Sequence, residues 1–145
     1  MFIILAPGRV TEAKLQQLIV QWLEAALPVN SVWHHSPNEG KRHVAFKQKL
    51  KVMGTRWGWP DLEVFVPPAG FHVPEDCVPL FLEVKTSKGR ATENQRDTQR
   101  QLQRCACRVA EVRSIREVEA FLAPLVRLET RGRAGLIRQL EEAAA

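Results

Sequence analysis

Asp61, Glu83 and Lys85 are two carboxylates and an ammonium whose spacing suits work on a phosphodiester. Glu83 and Lys85 stand two apart in Leu80-Phe81-Leu82-Glu83-Val84-Lys85, and Asp61 heads the run Asp61-Leu62-Glu63-Val64-Phe65-Val66. Both runs read as strands, in which residues two apart point to one side. Glu83 and Lys85 then share a face opposite Leu82 and Val84, and Asp61 and Glu63 share one opposite Leu62, Val64 and Val66. If the two strands pair, their polar faces coincide and Asp61 comes beside Glu83 and Lys85. Lone charges at strand positions are costly to desolvate, so such a cluster asks for a use. Hard carboxylate oxygens suit Mg²⁺ or Mn²⁺, with the backbone carbonyl of Val84 as a further ligand. A cation held there polarises a phosphodiester and activates water. Lys85 is then available to orient or deprotonate the water, or to stabilise the transition state.

The elements that must position these groups can be read outward from them. A Pro/Gly-rich loop over 67–79 connects the two strands, the simplest link between neighbours. After Gly89 the pattern predicts a helix from about Thr92 to Cys105, then a strand over 108–112. Ser114 with Glu117 forms a capping box for a helix that turns Val118, Phe121, Leu122 and Leu125 inward. Before the strands, Thr11 caps a helix with Leu15, Leu18, Ile19, Trp22, Leu23 and Ala26 on one face, closed by Pro28. Between Asn30 and Gly58 the pattern is mixed: Ser36-Pro37-Asn38-Glu39-Gly40 is a turn, and strand or irregular structure is expected around 44–46 and 50–53. The apolar start, Met1 to Ala6, reads as a buried strand or arm, since it lacks a basic lead and meets Pro7 and Gly8 far short of a membrane span. Leu136, Ile137 and Leu140 mark a short amphipathic tail helix.

The 145 residues are enough for one domain with its own core. We expect a single domain over 1–145, with a core of about 11–122 and a helical tail over 123–145. A hydrophobic share of 45% beside 26% charged residues, with no block of like charge, argues against long disorder. Cys77, Cys105 and Cys107 are odd in number and form no C-x-x-C pair, so neither a disulfide framework nor a standard zinc site is favoured, and a reducing cytoplasm fits. The net charge of +5 points to a polyanionic partner.

Pro60-Asp61 followed by Glu83-Val84-Lys85 matches the PD-(D/E)xK nuclease signature. The wider context narrows this. Ser36-Pro37-Asn38-Glu39-Gly40-Lys41-Arg42, then Gly54-Thr55-Arg56-Trp57-Gly58-Trp59-Pro60-Asp61-Leu62, then Glu83-Val84-Lys85-Thr86 with Gly89-Arg90 and Gln95, resembles the VRR-NUC family, the virus-type replication and repair nucleases, from about Thr11 to Leu122. The resemblance implies an α/β fold of the restriction-endonuclease type, a mixed central sheet flanked by helices. It also implies Mg²⁺- or Mn²⁺-dependent endonucleolytic cleavage of DNA, often branched DNA. Short stand-alone members from phages and bacteria look like homodimeric Holliday junction resolvases, whereas the version attached to larger eukaryotic repair proteins works as a monomer. With no room here for attached DNA-binding domains, the dimeric, junction-cleaving form is the expectation, by analogy. A non-catalytic DNA-binding module and a sequence-specific restriction-type endonuclease are the alternatives. Trp59 stands where family members often carry a smaller apolar residue.

Other residues have two readings each. Gln95 matches the family glutamine that approaches the active site, but Thr92-Glu93-Asn94-Gln95 is also a capping box. Glu12 can be an extra metal-binding glutamate, with Gln16 one turn on, or a favourable charge in the first turn of a helix. Glu39 can approach the metal or be a solvated loop carboxylate. Arg96, Arg100 and Arg104 form a stripe that can track a phosphate backbone or face solvent. Lys88 and Arg90 strengthen the DNA reading, and Lys41, Arg42 and Arg56 are further DNA-binding candidates. Trp57 can stack on an unpaired base or pack against its neighbours. The spacing of His34, His35, Asn38 and His43 does not fit the HNH type of nuclease.

Overall fold

The computed structural model describes residues 10–37, 44–129 and 133–144. Its first helix, α1 (Glu12–Ala26), starts where Thr11 accepts the Lys14 N–H on its hydroxyl at 3.1 Å, the expected cap. The six apolar positions of its inner stripe are all buried. Next come β1 (Val32–His35), α2 (Val44–Val52) and β2 (Leu62–Phe65). Two single-turn 3₁₀ helices, Pro68–Gly70 and Pro74–Asp76, shape the loop to β3 (Leu80–Val84). Then α3 (Glu93–Arg104), β4 (Arg108–Val112), α4 (Ile115–Leu122) and α5 (Arg133–Ala144) complete the chain.

The strands form one mixed sheet in the order β1-β2-β3-β4. The first two pairings are antiparallel, and β3 and β4 are parallel. A parallel pair needs a crossover, which α3 supplies. Leu62, Val64, Leu80, Leu82, Val84 and Val112 turn one face of the sheet into a core with α1 and α4. The other face carries Asp61, Glu83 and Lys85 beneath the start of α3. The expected α/β architecture is therefore the observed one.

One expectation changes. The stretch expected to be strand or irregular around 44–53 is helical over α2, with no buried residue in it. Its β-branched ends suggested a strand, but Ala45, Lys47, Gln48, Lys49, Leu50 and Lys51 between them favour a helix. The short amphipathic helix expected around Leu136, Ile137 and Leu140 is α5, whose Ile137 and Leu140 join Val126 in the same buried cluster as the sheet. At α4 the capping box is half formed. Ser114 accepts the Glu117 N–H, while the Glu117 carboxylate accepts from the Arg113 N–H instead.

The apolar start of the chain, Asn38, Glu39, Gly40, Lys41, Arg42 and His43 lie outside the described residues. Cys77, Cys105 and Cys107 are free thiols. Among the described residues no helix is long and apolar enough to cross a membrane.

Candidate active site

The register of β2 on β3 decides which charges meet. Leu62 pairs with Leu82 and Glu63 with Phe81, so Asp61, one residue earlier, stands across from Glu83. Main-chain groups of the even-numbered β3 residues turn toward β2, since Lys85 on the opposite side donates its N–H to the Val112 carbonyl of β4. Asp61 and Glu83 are thus a non-hydrogen-bonded pair, the kind whose side chains approach most closely.

One step further along the same register, Pro60 falls opposite Val84. A proline has no N–H to offer. The Val84 N–H is taken by Asp61 Oδ2 at 2.7 Å, but its carbonyl, aimed the same way, has no ladder donor from Pro60. Pro60 thus removes the ladder donor to the Val84 carbonyl, while the Asp61 carboxylate takes the Val84 N–H that the Pro60 carbonyl opposite could otherwise accept. The Asp61 main chain is held as well: its carbonyl accepts the Ser36 N–H at 3.3 Å and lies 2.9 Å from His35 Nδ1. His35 Nδ1 is also 2.9 Å from Gln16 Nε2, but one ring nitrogen either donates to the Asp61 carbonyl or accepts from the Gln16 amide, so His35 of β1 braces the strand end that presents Asp61 in the tautomer that carries its proton on Nδ1.

Glu83 is fully buried. Its Oε1 accepts from Gln95 Nε2 at 2.8 Å. Gln95 Oε1 in turn accepts the Thr92 N–H at 2.8 Å while Thr92 Oγ1 accepts the Gln95 N–H. The capping box fixes the Gln95 amide, and the fixed amide reaches Glu83. Lys85, also buried, places Nζ 3.8 Å from Glu83 Oε1 and 3.7 Å from Glu12 Oε1. Glu12 lines the same cleft as the partner of Lys85.

Desolvation first, and then the charge and hydrogen bond of Asp61, push the Glu83 carboxyl up to about 9, with Glu12 adding to the rise and Lys85 opposing it. At neutral pH Glu83 therefore holds a proton unless a cation takes its place. Among the described residues no donor reaches its second, buried oxygen Oε2, so the hydrogen bond with Asp61 exists only while a proton is held between the two carboxyls. A buried oxygen with no donor, beside a second carboxylate and a carbonyl without a ladder donor from Pro60, could hold a hard divalent ion. Among the described residues no group of three or more histidine, cysteine or carboxylate side chains makes a full cage, and an ion that keeps several waters does not need one.

These groups line a cleft of about 290 Å³ closed on one side by Trp57, Gly58 and Trp59. Gly58 makes that wall possible. Its φ is +80°, and a Cβ added there would sit 2.6 Å from the Asn94 carbonyl carbon and 2.8 Å from the Gln95 nitrogen. Gly54 also has a positive φ, +102°, but open space around it. Gly54→Ala is expected to cost only the strained backbone, about 1–2 kcal/mol. Gly58→Ala must in addition push away the main chain that carries Gln95, so it should destabilise more and lower activity, while Gly54→Ala keeps activity. Denaturant titration beside a cleavage assay separates the two.

The basic candidates are dispersed. Lys88, Arg90 and Arg96 line one cavity of about 570 Å³ together with Arg113, a residue that inspection of the sequence overlooked. Arg113 donates to the Gly89 carbonyl at 2.8 Å and to Glu111 at 2.7 Å, while its Nη1 is buried with no partner. Only the parallel register, Val84 on Val112, sets Arg113 beside Lys85. Arg100 pairs with Asp97, Arg56 bonds Gln101, and Arg104 is exposed. The expected single stripe is thus divided among different neighbours. Glu63, which alternation placed on the face of Asp61, accepts on its Oε1 from Trp59 Nε1 at 2.7 Å and from Ser36 Oγ at 3.0 Å.

The chain can now be set beside known proteins. A family model described as the VRR-NUC domain matches residues 8–115. A solved structure titled "VRR_NUC domain protein" superposes with a TM-score of 0.59, covering 84% of this chain and 100% of that one at 20% identity, a likeness of fold. No protein with a curated description matches in sequence.

Proposed function

The chain belongs to the VRR-NUC domain family and so carries a nuclease domain whose substrate is DNA, and on that premise we propose that it is a Mg²⁺- or Mn²⁺-dependent endodeoxyribonuclease that selects branched DNA, in the manner of a Holliday junction resolvase. The observation that carries the reading is the buried, unpartnered Glu83 Oε2 next to Asp61 at the floor of an open cleft. Asp61, Glu83 and the Val84 carbonyl would hold the cation, which when bound supplies Lewis acidity and charge neutralisation for phosphodiester hydrolysis. Lys85 is the residue to orient or deprotonate the attacking water and to offset charge on the phosphate. Gln95 keeps the Glu83 carboxylate turned toward the cleft, and Glu12 holds Lys85 in place. The basic cavity of Lys88, Arg90, Arg96 and Arg113 is suited to backbone phosphates of the same strand. Val29, Val32 and Phe65, exposed apolar side chains around the β1 side of the sheet, offer surface to a second copy.

The test is a panel of labelled four-way junctions, flaps and plain duplex with Mg²⁺, Mn²⁺ or chelator. Cation-dependent cutting of the branched members is expected, with two symmetric nicks on the four-way junction and a dimer in solution. No cutting of any substrate would overturn the enzyme reading, and discrete products from plain duplex at one short site would replace branch selection by sequence selection.

A further inference from the structure

Beside the cleft lies a second cavity of about 390 Å³, lined by Ser36, Pro37, Arg56, Trp57, Trp59 and Glu63 among others. Trp57 and Trp59 line both spaces, so the tryptophan pair is the partition between them. Trp59 is fixed on its side of the partition. Its Nε1 donates to Glu63, and its ring meets Phe81 edge-on, with centroids 5.7 Å apart. Glu63 lies two residues from Asp61 on the same strand face and is only partly buried. Both hydrogen bonds it accepts fall on Oε1. Among the described residues nothing bonds Oε2, which leaves an acceptor for a ligand in the second cavity.

A flat indole wall and a single accessible carboxylate oxygen form a chemistry that fits a planar, hydrogen-donating ring. The Arg56 guanidinium in the lining bonds Gln101, and a backbone phosphate gains nothing from the Glu63 carboxylate. A nucleobase gains from both, stacking on the indole and donating from its edge to the carboxylate. A base inside a duplex cannot reach a side cavity, because its faces are stacked and its edge is paired. An unpaired base can. Resting on the DNA-nuclease reading above, we propose that this cavity receives an unpaired nucleobase of the strand whose phosphodiester lies in the cleft, stacked against Trp57 and donating an amino group to Glu63. Branch selection then arises here: only DNA with an unpaired nucleotide near the cut can fill both spaces.

Binding to forked DNA, measured by fluorescence anisotropy in chelator so that the strands stay intact, tests this. A single abasic nucleotide is moved step by step through the unpaired region. At one position it should weaken binding about ten-fold, the size of a lost base stack, and elsewhere it should have little effect. Trp57→Ala should erase the difference between base and abasic site. Glu63→Gln is the second variant, since its amide oxygen can still accept from Trp59 and Ser36. It replaces the accessible oxygen by an NH₂, so a preference for cytosine or adenine over thymine at that position should turn toward thymine. Wild-type protein that binds forks but tolerates the abasic nucleotide everywhere overturns the cavity assignment and leaves the nuclease reading intact. Protein that binds no DNA at all overturns both.

Discussion

Glu83→Gln is expected to cut branched DNA at least about 10³-fold more slowly than wild type while binding it with similar affinity. The amide is the same size as the carboxyl and can still pair with Gln95, so the change removes the charge a cation needs and little else. Asp61→Asn should lose as much, because it gives up a ligand and offers an amide where the Val84 N–H is now accepted by Oδ2. Lys85→Ala should fall in the same range. Gln95→Ala touches the reaction only through Glu83, so a smaller loss of about 10–100-fold is expected. Single-turnover cleavage with saturating Mn²⁺, beside anisotropy binding of the same junction, measures both quantities. A Glu83→Gln protein that cuts at the wild-type rate would remove Glu83 from the chemistry.

The second large effect is on stability and runs with pH. The Glu83 carboxyl rises from an ordinary 4.5 to about 9 in the folded protein. Between those values the folded chain keeps a proton that the unfolded chain has released. The stabilisation from this group is therefore fully present below pH 4.5, declines as pH rises, and is gone above about 9. In the cation-free protein the decline attributable to Glu83 approaches about 1.4 kcal/mol per pH unit at most. Urea unfolding at pH 5, 7 and 9 in chelator should show wild type losing stability relative to Glu83→Gln as pH increases. Mn²⁺ at pH 8 should reverse the order, because the cation displaces the proton from wild type and finds no carboxylate in the variant. Calorimetry in buffers of different ionisation enthalpy should detect the released proton. Parallel pH profiles for the two proteins would contradict the buried, proton-holding Glu83.

Sequence alone determined the local chemistry. A period of two put Glu83 with Lys85 and Asp61 with Glu63, Thr11 and Thr92 announced their helices, and the sheet with its covering helices was legible because alternation and helical spacing are properties of neighbours in the chain. The same local logic misread α2, whose lysines and β-branched ends carry no burial signal because none of its residues is buried. Tertiary structure decided whatever depends on register between distant segments. Pairing of residue 62 with 82 joined Asp61 to Glu83 and set Pro60 against Val84, parallel pairing of 84 with 112 brought in Arg113, and a close approach of Gly58 to Asn94 made the tryptophan wall. Registers are chosen by the burial of whole faces summed over many residues, so no single segment of sequence contains them.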